Sequence, residues 1–398
     1  MECWKVTVFV FFAGFSLGCG EGFKPVQGSG MLSSAQGPTA PVPIVEPPPE
    51  EPPPPAVPEI LNWDDPVPAG VQAADCLEND LYNVCLVYKN PVFANGGSFS
   101  PRLTISNAKA ADEAKIMQYG LKIPEDTTLS NKNFRIVAPR SLAKAENGSW
   151  KFPFAGDADQ KLAQIQSFYW LNRQVSHFQE RAGKFYWADT RAPVVVYQSQ
   201  LSNNAYFDGR GITLGYSGSS SGRSLLAMDV TVAVHEAGHG NIAAATRGAG
   251  VGGNCASKNG CLGAIHEGGG DIHAFMIFGE VGIIGEYFVN SLDGLRAPGN
   301  AKERNLTARD YYQRAGGEIH DMGNVYASIW WEVYANAKAA GIEKDVEGLF
   351  IDHLSGLDAR DTFTSAFEVI EAMANQSGRE KFVDQFRQEY QRMEVDLP

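Results

Sequence analysis

The stretch His235-Glu236-Ala237-Gly238-His239 places two imidazoles four residues apart, with a carboxylate directly after the first. The apolar run over residues 228–234 leads into this stretch and predicts that it is helical. On a helix the two histidines lie on one face, one turn apart, so both can bind the same metal ion. Glu236 then faces the space beside that ion, where a base is needed to take a proton from water. The spacing predicts a metal site with a base beside it; two structural histidines are the alternative.

A catalytic zinc ion takes three protein ligands and leaves a fourth position open, so a third ligand must come from another stretch. A third histidine six residues after His239, the metzincin pattern, is absent because that position is Ala245. Residues 263–275 carry Glu267 and Asp271, which lie on one helical face if this stretch is also a helix. The metzincin pattern is therefore excluded, and two carboxylates follow on a second predicted helix.

Together these two stretches resemble the zinc motifs of the gluzincin metallopeptidases, thermolysin-like and especially fungalysin-like. The resemblance implies that zinc is bound by His235, His239 and Glu267. It also implies that Glu236 is the general base, and that Asp271 holds the ring of a ligand histidine through a hydrogen bond. The implied function is a zinc-dependent endopeptidase. A zinc exopeptidase and a non-catalytic zinc-containing surface lipoprotein are the alternatives, and Glu236 argues against the second because a structural site has no use for a base.

Two further histidines lie close to Glu267 in the sequence. At 100° per residue, His273 lies about 240° around the helix from Glu267, and His266 lies about 100° away. We therefore expect both rings to pack or to support the site, and neither to bind the metal.

Other stretches resemble the same family and follow in the same order. Residues 203–209 resemble the edge strand that pairs with the substrate backbone, which implies that Asn204 and Ala205 bind substrate. Residues 291–296 resemble the stretch whose arginine binds the substrate carbonyl, here Arg296. The block 317–332 implies that His320 stabilises the oxyanion, and residues 163–173 resemble the long helix before the active-site half. The likeness runs from about residue 160 to about residue 335.

The resemblance implies an α+β fold, a two-lobed thermolysin-like metallopeptidase. The N-terminal mixed α/β lobe, residues 76–240, would contain the edge strand and the active-site helix, and the C-terminal lobe, residues 241–398, would be mostly helical. The sequence pattern predicts a long helix over residues 160–182 and later helices over 325–340, 346–354, 363–374 and 379–393, so that His320 lies just before a helix. Strand-like pieces at 81–88 and 133–137 predict a mixed sheet before the long helix. A cleaved pro-segment over residues 77–155 is the alternative.

The chain departs from the thermolysin pattern at one position that bears on catalysis. A tyrosine that assists the oxyanion stands nine residues before the ligand glutamate in those enzymes, and here that position is Lys258. Tyr311 and Tyr312 are candidates to replace it. The calcium-binding carboxylate clusters of thermolysin are not recognisable, so zinc is the cofactor that the motifs indicate and calcium stays open.

The first residues predict export. Lys5 precedes an apolar stretch over residues 6–17, which is too short to span a membrane, so residues 1–18 are interpreted as a signal peptide. The stretch ending at Cys19 resembles a bacterial lipobox, which implies lipidation of Cys19; plain secretion and a short buried helix are alternatives. Residues 19–75 are proline-rich, with 14 of the chain's 22 prolines between residues 20 and 70, and predict a disordered linker. The expected location is the bacterial envelope, at the outer membrane or surface, or the medium.

The remaining cysteines agree with export. Cys76 and Cys85 form one close pair in the sequence and Cys255 and Cys261 a second, and each pair suits a local disulfide in an oxidising compartment. Free buried thiols and a cysteine zinc site are the alternatives.

The net charge of −13 excludes a nucleic-acid partner because a negative field repels phosphate. The expected partners are a peptide or protein substrate and a bacterial membrane reached through the lipid, with the chain as a monomer.

Overall fold

The computed structural model describes residues 76–398, apart from 79, 101–102, 104–109, 139–140, 155–159, 219–222, 249–252, 280–281 and 303. The predicted signal peptide, Cys19 and the proline-rich linker lie outside the described residues. Among the helices of the described part, none combines the length and the apolar character that a membrane span requires.

Within the described ranges, eight short strands form one four-stranded sheet and two small antiparallel pairs. The strands are β1 Val84–Leu86, β2 Tyr119–Leu121, β3 Phe134–Val137, β4 Ala192–Val195, β5 Ala205–Phe207, β6 Ile212–Leu214, β7 Tyr216–Ser217 and β8 Ser224–Leu225. The central sheet has the order β3-β4-β6-β5, in which β3, β4 and β6 are parallel and β5 is antiparallel at one edge. A tight turn joins β5 to β6, because the Asp208 carboxylate accepts from the backbone N–H groups of Arg210 and Gly211. This turn sets the register of the edge strand.

Eleven α-helices lie in the described part and dominate the chain after residue 230. They are α1 Pro91–Asn95, α2 Ala110–Ile116, α3 Lys161–Ala182, α4 Val230–Ala245, α5 Leu262–Phe278, α6 Glu286–Val289, α7 Ala308–Ala315, α8 Ile319–Ala339, α9 Glu343–Leu354, α10 Phe363–Gln376 and α11 Val383–Arg392. The predicted fold class, α+β with an N-terminal sheet and a helical C-terminal part, is confirmed. The predicted lobe boundary at residue 240 falls within α4 and stays a prediction.

Most predicted helices and strands are present at the predicted positions, and one helix begins earlier than predicted. The long helix expected near residues 160–182 is α3. The helix predicted to start at Val325 begins six residues earlier, at Ile319, because the Glu318 carboxylate accepts from the backbone N–H of Asp321 and caps α8. His320 therefore lies in the first turn of a helix, whereas the sequence placed it before one.

Glycines allow α4, α5 and α8 to pack closely around the predicted metal site. A Cβ atom on Gly270 of α5 would lie 2.5 Å from Nδ1 of His235, and one on Gly268 would lie 2.6 Å from the Gly323 carbonyl of α8. On α4, a Cβ atom at Gly238 would lie 2.9 Å from the Gly270 Cα. Such distances are too short for real side chains, so the glycine-rich run of α5 is required by close helix contact.

Both predicted local disulfides are present, Cys76–Cys85 and Cys255–Cys261. Cys76 is fully buried and Cys255 nearly so. Free thiols and a cysteine metal site are thereby excluded for these four residues.

Candidate metal centre

Helices α4 and α5 bring His235, His239 and Glu267 together. One ligand atom from each lies within 4.8 Å of the others. Nε2 of His235 is 3.4 Å from Oε2 of Glu267, and Nε2 of His239 is 3.5 Å from Oε1. Three side chains from two helices therefore point their donor atoms into one small volume, as the resemblance implied.

The donor set fits a zinc ion. Within the residues that the structure describes, the buried Oε2 of Glu267 accepts no hydrogen bond, which is costly for a buried carboxylate oxygen. Burial alone would raise the pKa of Glu267, but His239, His235 and His320 lower it well below its usual range. Two imidazoles and one ionised carboxylate are the ligands of known catalytic zinc sites, and they leave a coordination position open.

Of the two ligand histidines, Asp271 supports His235. Its Oδ1 is 2.8 Å from Nδ1 of His235. The Arg296 guanidinium donates to both oxygens of Asp271, at 2.8–3.0 Å, and its Nη2 lies 3.3 Å from Nε2 of His235. Burial alone would raise the pKa of Asp271, but Arg296 and His235 keep it low. Asp271 is therefore an anion that fixes the His235 ring with its Nε2 toward the other ligands.

Glu236 lies beside the ligands and is almost fully buried. Burial, opposed by His235 and assisted by Glu267, raises the pKa of its carboxyl to about 7. A carboxyl group with this pKa can both accept and release a proton near neutral pH.

His320 lies across Glu267 from the helix that carries the histidine pair. Its Nε2 is 3.4 Å from Oε2 of Glu267, and its Nδ1 bonds the carboxylate of Glu318. Burial lowers the pKa of His320, but Glu318 and Glu267 together outweigh this effect and raise the pKa above its usual value. Glu318 was not among the predicted site residues. The sequence signal that could have indicated it is an acidic residue two positions before His320, at a position that also caps α8.

Strand β5 is the edge strand, and α4 packs against it. The backbone pairs Asp208–Gly211 and Asn204–Gly215 are hydrogen-bonded, at 3.1 Å each. Because such pairs alternate along an antiparallel ladder, Ala205 directs its N–H and C=O to the open edge, while the Asn204 carbonyl faces inward. Of the two residues predicted to bind substrate, Ala205 presents free backbone groups and Asn204 presents its exposed side chain.

Lys258, at the position of the missing tyrosine, and the two candidates to replace that tyrosine, Tyr311 and Tyr312, are all engaged elsewhere. The Lys258 ammonium bonds the Glu394 carbonyl and the Asp396 carboxylate of the C-terminal tail. The Tyr312 hydroxyl donates to the Ala256 carbonyl at 3.1 Å, and the buried Tyr311 ring packs beneath an arginine. These contacts give the three side chains structural roles on the 255–261 loop and α7.

The two extra histidines do not join the ligand group. His273 bonds Asn241 of α4 at 2.9 Å and the Gly269 carbonyl at 2.7 Å, so it ties the two ligand helices together. His266 is fully buried, and its ring centroid lies 5.9 Å from that of His239. His273 therefore supports the site by joining its two helices, and His266 packs beside His239.

Residues 154–387 match the fungalysin metallopeptidase (M36) family. The chain belongs to this family. It is similar to a solved structure, the precursor of protealysin, a metalloproteinase from Serratia proteamaculans, with 13% identity, a TM-score of 0.49, and coverage of 68% of this chain and 91% of that one. No curated protein sequence matches the chain. The family match confirms the fungalysin-like resemblance, and the fungalysin-family chain is a zinc metalloendopeptidase with a His-His-Glu metal site.

Proposed function

We propose that this fungalysin-family enzyme cleaves peptide bonds outside the cytosol with Glu236 as general base. The observation that supports this most strongly is the convergence of three ligand atoms within 4.8 Å, with the buried Glu236 beside them. His235, His239 and Glu267 would hold the zinc ion, which would supply a Lewis acid that lowers the pKa of water toward about 7 and polarises a carbonyl group. The residues around it then decide how the proton moves and how the substrate lies.

Glu236 takes the water proton and later delivers it to the departing amine. Its raised pKa, about 7, supports both steps, because the carboxylate is basic enough to accept the proton and the acid weak enough to keep it until the amine leaves. His320 donates from Nε2 to the oxyanion, and its Nδ1 bond to Glu318 supports the protonated ring that this requires.

The substrate backbone adds to the open edge of β5. The outward N–H and C=O of Ala205 support this pairing, with the Asn204 side chain beside them. Arg296 lies close enough to His235 to reach a substrate carbonyl from its place on Asp271. An extended peptide that continues past both ends of this edge suits an endopeptidase more than an exopeptidase.

We place the enzyme at the bacterial envelope, anchored by a lipid on Cys19 at the outer membrane or surface, or secreted. The two disulfides support an oxidising compartment. The lipobox-like sequence before Cys19 supports the anchor, and the proline-rich stretch to residue 75 supports a spacer between anchor and enzyme. The catalytic part then comprises an N-terminal lobe, residues 76–240, and a C-terminal lobe, residues 241–398, acting as a monomer.

The test compares the wild type with Glu236→Gln on a diverse peptide library, with cleavage sites read by mass spectrometry and zinc measured by elemental analysis. We expect about one zinc per chain in both proteins, internal cleavage by the wild type, and none by the variant. Cleavage confined to chain ends would indicate an exopeptidase. Zinc binding without any cleavage by the wild type would leave the non-catalytic lipoprotein.

A further inference from the structure

The chain between Val87 and Asn90 caps the active-site helix. The backbone N–H of Val230, the first residue of α4, donates to the Lys89 carbonyl at 3.0 Å. Asp229, at the N-cap position of α4, makes no side-chain capping bond to its own helix. A helix start leaves several N–H groups without partners in the helix, and here an N-terminal segment supplies one of them.

A buried ion pair ties the same segment to the loop that carries Arg296. Nζ of Lys89 lies 2.6 Å from Oε1 of Glu286, and each side chain is only 1% exposed. Asn90 donates to the other oxygen of Glu286 at 3.0 Å. Two residues before Glu286, the backbone of Ile284 pairs with that of Arg296 through bonds of 2.9 and 3.2 Å. The position of Arg296 is therefore linked to Lys89 through two sets of contacts: the ion pair with Glu286, and the backbone pairing of Ile284 with Arg296.

Asp229 joins α4 to the same loop. Its Oδ2 accepts from the backbone N–H groups of Tyr287 and Phe288, at 3.0 Å each. Its Oδ1 accepts from the Thr231 hydroxyl, which in turn accepts from the backbone N–H of Gly285 at 3.0 Å. Residues 89–90, 229–231 and 284–288 thus meet in one buried polar cluster, which we name the joint.

Polar side chains of α3 hold the segment in place. Gln166, fully buried, bonds both the N–H and the C=O of Val87, at 3.0 and 2.6 Å, and the Trp170 indole donates to the same carbonyl. Gln164, also fully buried, accepts from the backbone N–H of Ala143 and donates to the Ser141 carbonyl. If residues 76–154 were removed, these amides would lose their partners in an apolar interior, which costs roughly 1–3 kcal/mol for each group.

We propose that residues 76–154 are a permanent part of the active enzyme, and that Lys89 is a positioning residue that acts through Glu286 on Arg296 and the zinc helix. β3 supports this directly, because residues 134–137 form a strand of the central sheet, parallel to β4. A removable pro-segment would leave that sheet, the helix cap and the joint incomplete. The inference rests on the proposed function only in expecting a zinc enzyme, and its tests use mass, zinc affinity and stability.

The first experiment maps the purified active protein by peptide mass spectrometry after non-reducing digestion. We expect the disulfide-linked peptides of Cys76 and Cys85 and a peptide containing residues 134–137, at the same abundance as peptides from α4. A zinc-binding, stable protein whose chain starts after residue 154 would overturn the proposal.

The second experiment measures zinc affinity by chelator competition and the thermal midpoint for Lys89→Met, with Lys122→Met as control. Lys122 lies in the same segment but is exposed. We expect Lys89→Met to lower the midpoint and weaken zinc binding about tenfold, because Glu286 is left buried without its cation. The control should match the wild type. Full zinc affinity in a folded Lys89→Met protein would exclude the positioning role.

The double variant Lys89→Met/Glu286→Gln keeps the test decisive if the single variant fails to fold. Removing both charges leaves no uncompensated ion at position 286, so we expect much of the stability and zinc affinity to return. A double variant no better than Lys89→Met would mean that the ion pair is not what links the segment to the site. Zinc binding without peptide cleavage in the wild type would count against the proposed function and leave this test unaffected.

Discussion

The two flanks of the metal centre are built in opposite ways. On the supported flank, which comprises Asp271, Arg296 and the joint at Asp229, charged groups are buried together and each has a partner. On the loop flank, residues 255–261 and the C-terminal tail, Lys258 points to Asp396 on the surface, and a disulfide closes the loop. The supported flank therefore orients the metal ligands. On the loop flank, the Lys258 side chain holds the C-terminal tail instead. In the proposed mechanism, oxyanion stabilisation by protein groups then depends on His320.

The largest effect should come from His320→Asn, which tests whether His320 is the oxyanion donor in place of a residue of the loop flank. Because Lys258 stands where thermolysin-like enzymes have the assisting tyrosine, we expect kcat to fall about 10²- to 10³-fold with zinc content unchanged. Steady-state kinetics on a peptide substrate and elemental analysis measure both. Glu318→Gln should give a smaller loss, since it removes only the support of the ring. A loss of less than tenfold for His320→Asn would point to another donor.

The supported flank is tested by Asp271→Asn. This change removes the anion that holds His235 and leaves Arg296 without its bidentate partner. We expect zinc affinity to fall about 10- to 100-fold, measured by competition with a chelator. Asp293→Asn, on the exposed turn before Arg296, is the matched control and should bind zinc like the wild type. Equal affinity for both variants would show that the flank does not support the ligand.

The joint should make stability depend on pH. Burial, and then Glu286, raise the pKa of Asp229 from 3.8 to about 6, while Thr231, the Phe288 N–H and Lys89 oppose the shift. Because the folded pKa lies above the unfolded one, this contribution is fully present below about pH 4 and is lost as pH rises through 6. The free energy of unfolding of the wild type, relative to Asp229→Asn, should therefore fall between pH 4 and 7, measured by denaturant titration. A constant difference would contradict the shift.

The smallest effect should follow from Lys258→Ala. The Lys258–Asp396 pair is partly exposed, with Asp396 66% accessible, so its loss should cost less than about 1 kcal/mol. We expect kcat to stay within twofold of the wild type, because Lys258 is bound to the tail. Kinetics and thermal unfolding measure the two quantities. A large fall in kcat with little change in stability would mean that the loop flank reaches the substrate.

Much of the metal centre could be predicted because its residues lie one helical turn apart. His235 with His239, and Glu267 with Asp271, have the spacing that places side chains on one helical face. Glu318 could not be found this way, because glutamate is not a favoured N-cap residue and α8 therefore seemed to begin at Val325. The roles proposed for Arg296 and Ala205 still rest on the resemblance and on their positions.

By itself, the sequence determined most of the helices, the two local disulfides and the pairing of His235 with His239, because each depends on residues a few positions apart. Glu267 as the third ligand came from the family resemblance, because it lies on a separate stretch of the chain. The tertiary structure decided which histidine Asp271 holds and which residues Lys258 binds. It also decided that Lys89 pairs with Glu286, although the two residues lie far apart in the sequence. These contacts depend on the close packing that the glycines of α5 allow. They also depend on buried charged groups whose partners lie far away in the sequence. Neither leaves a periodic pattern in the sequence, so only the folded chain defines them.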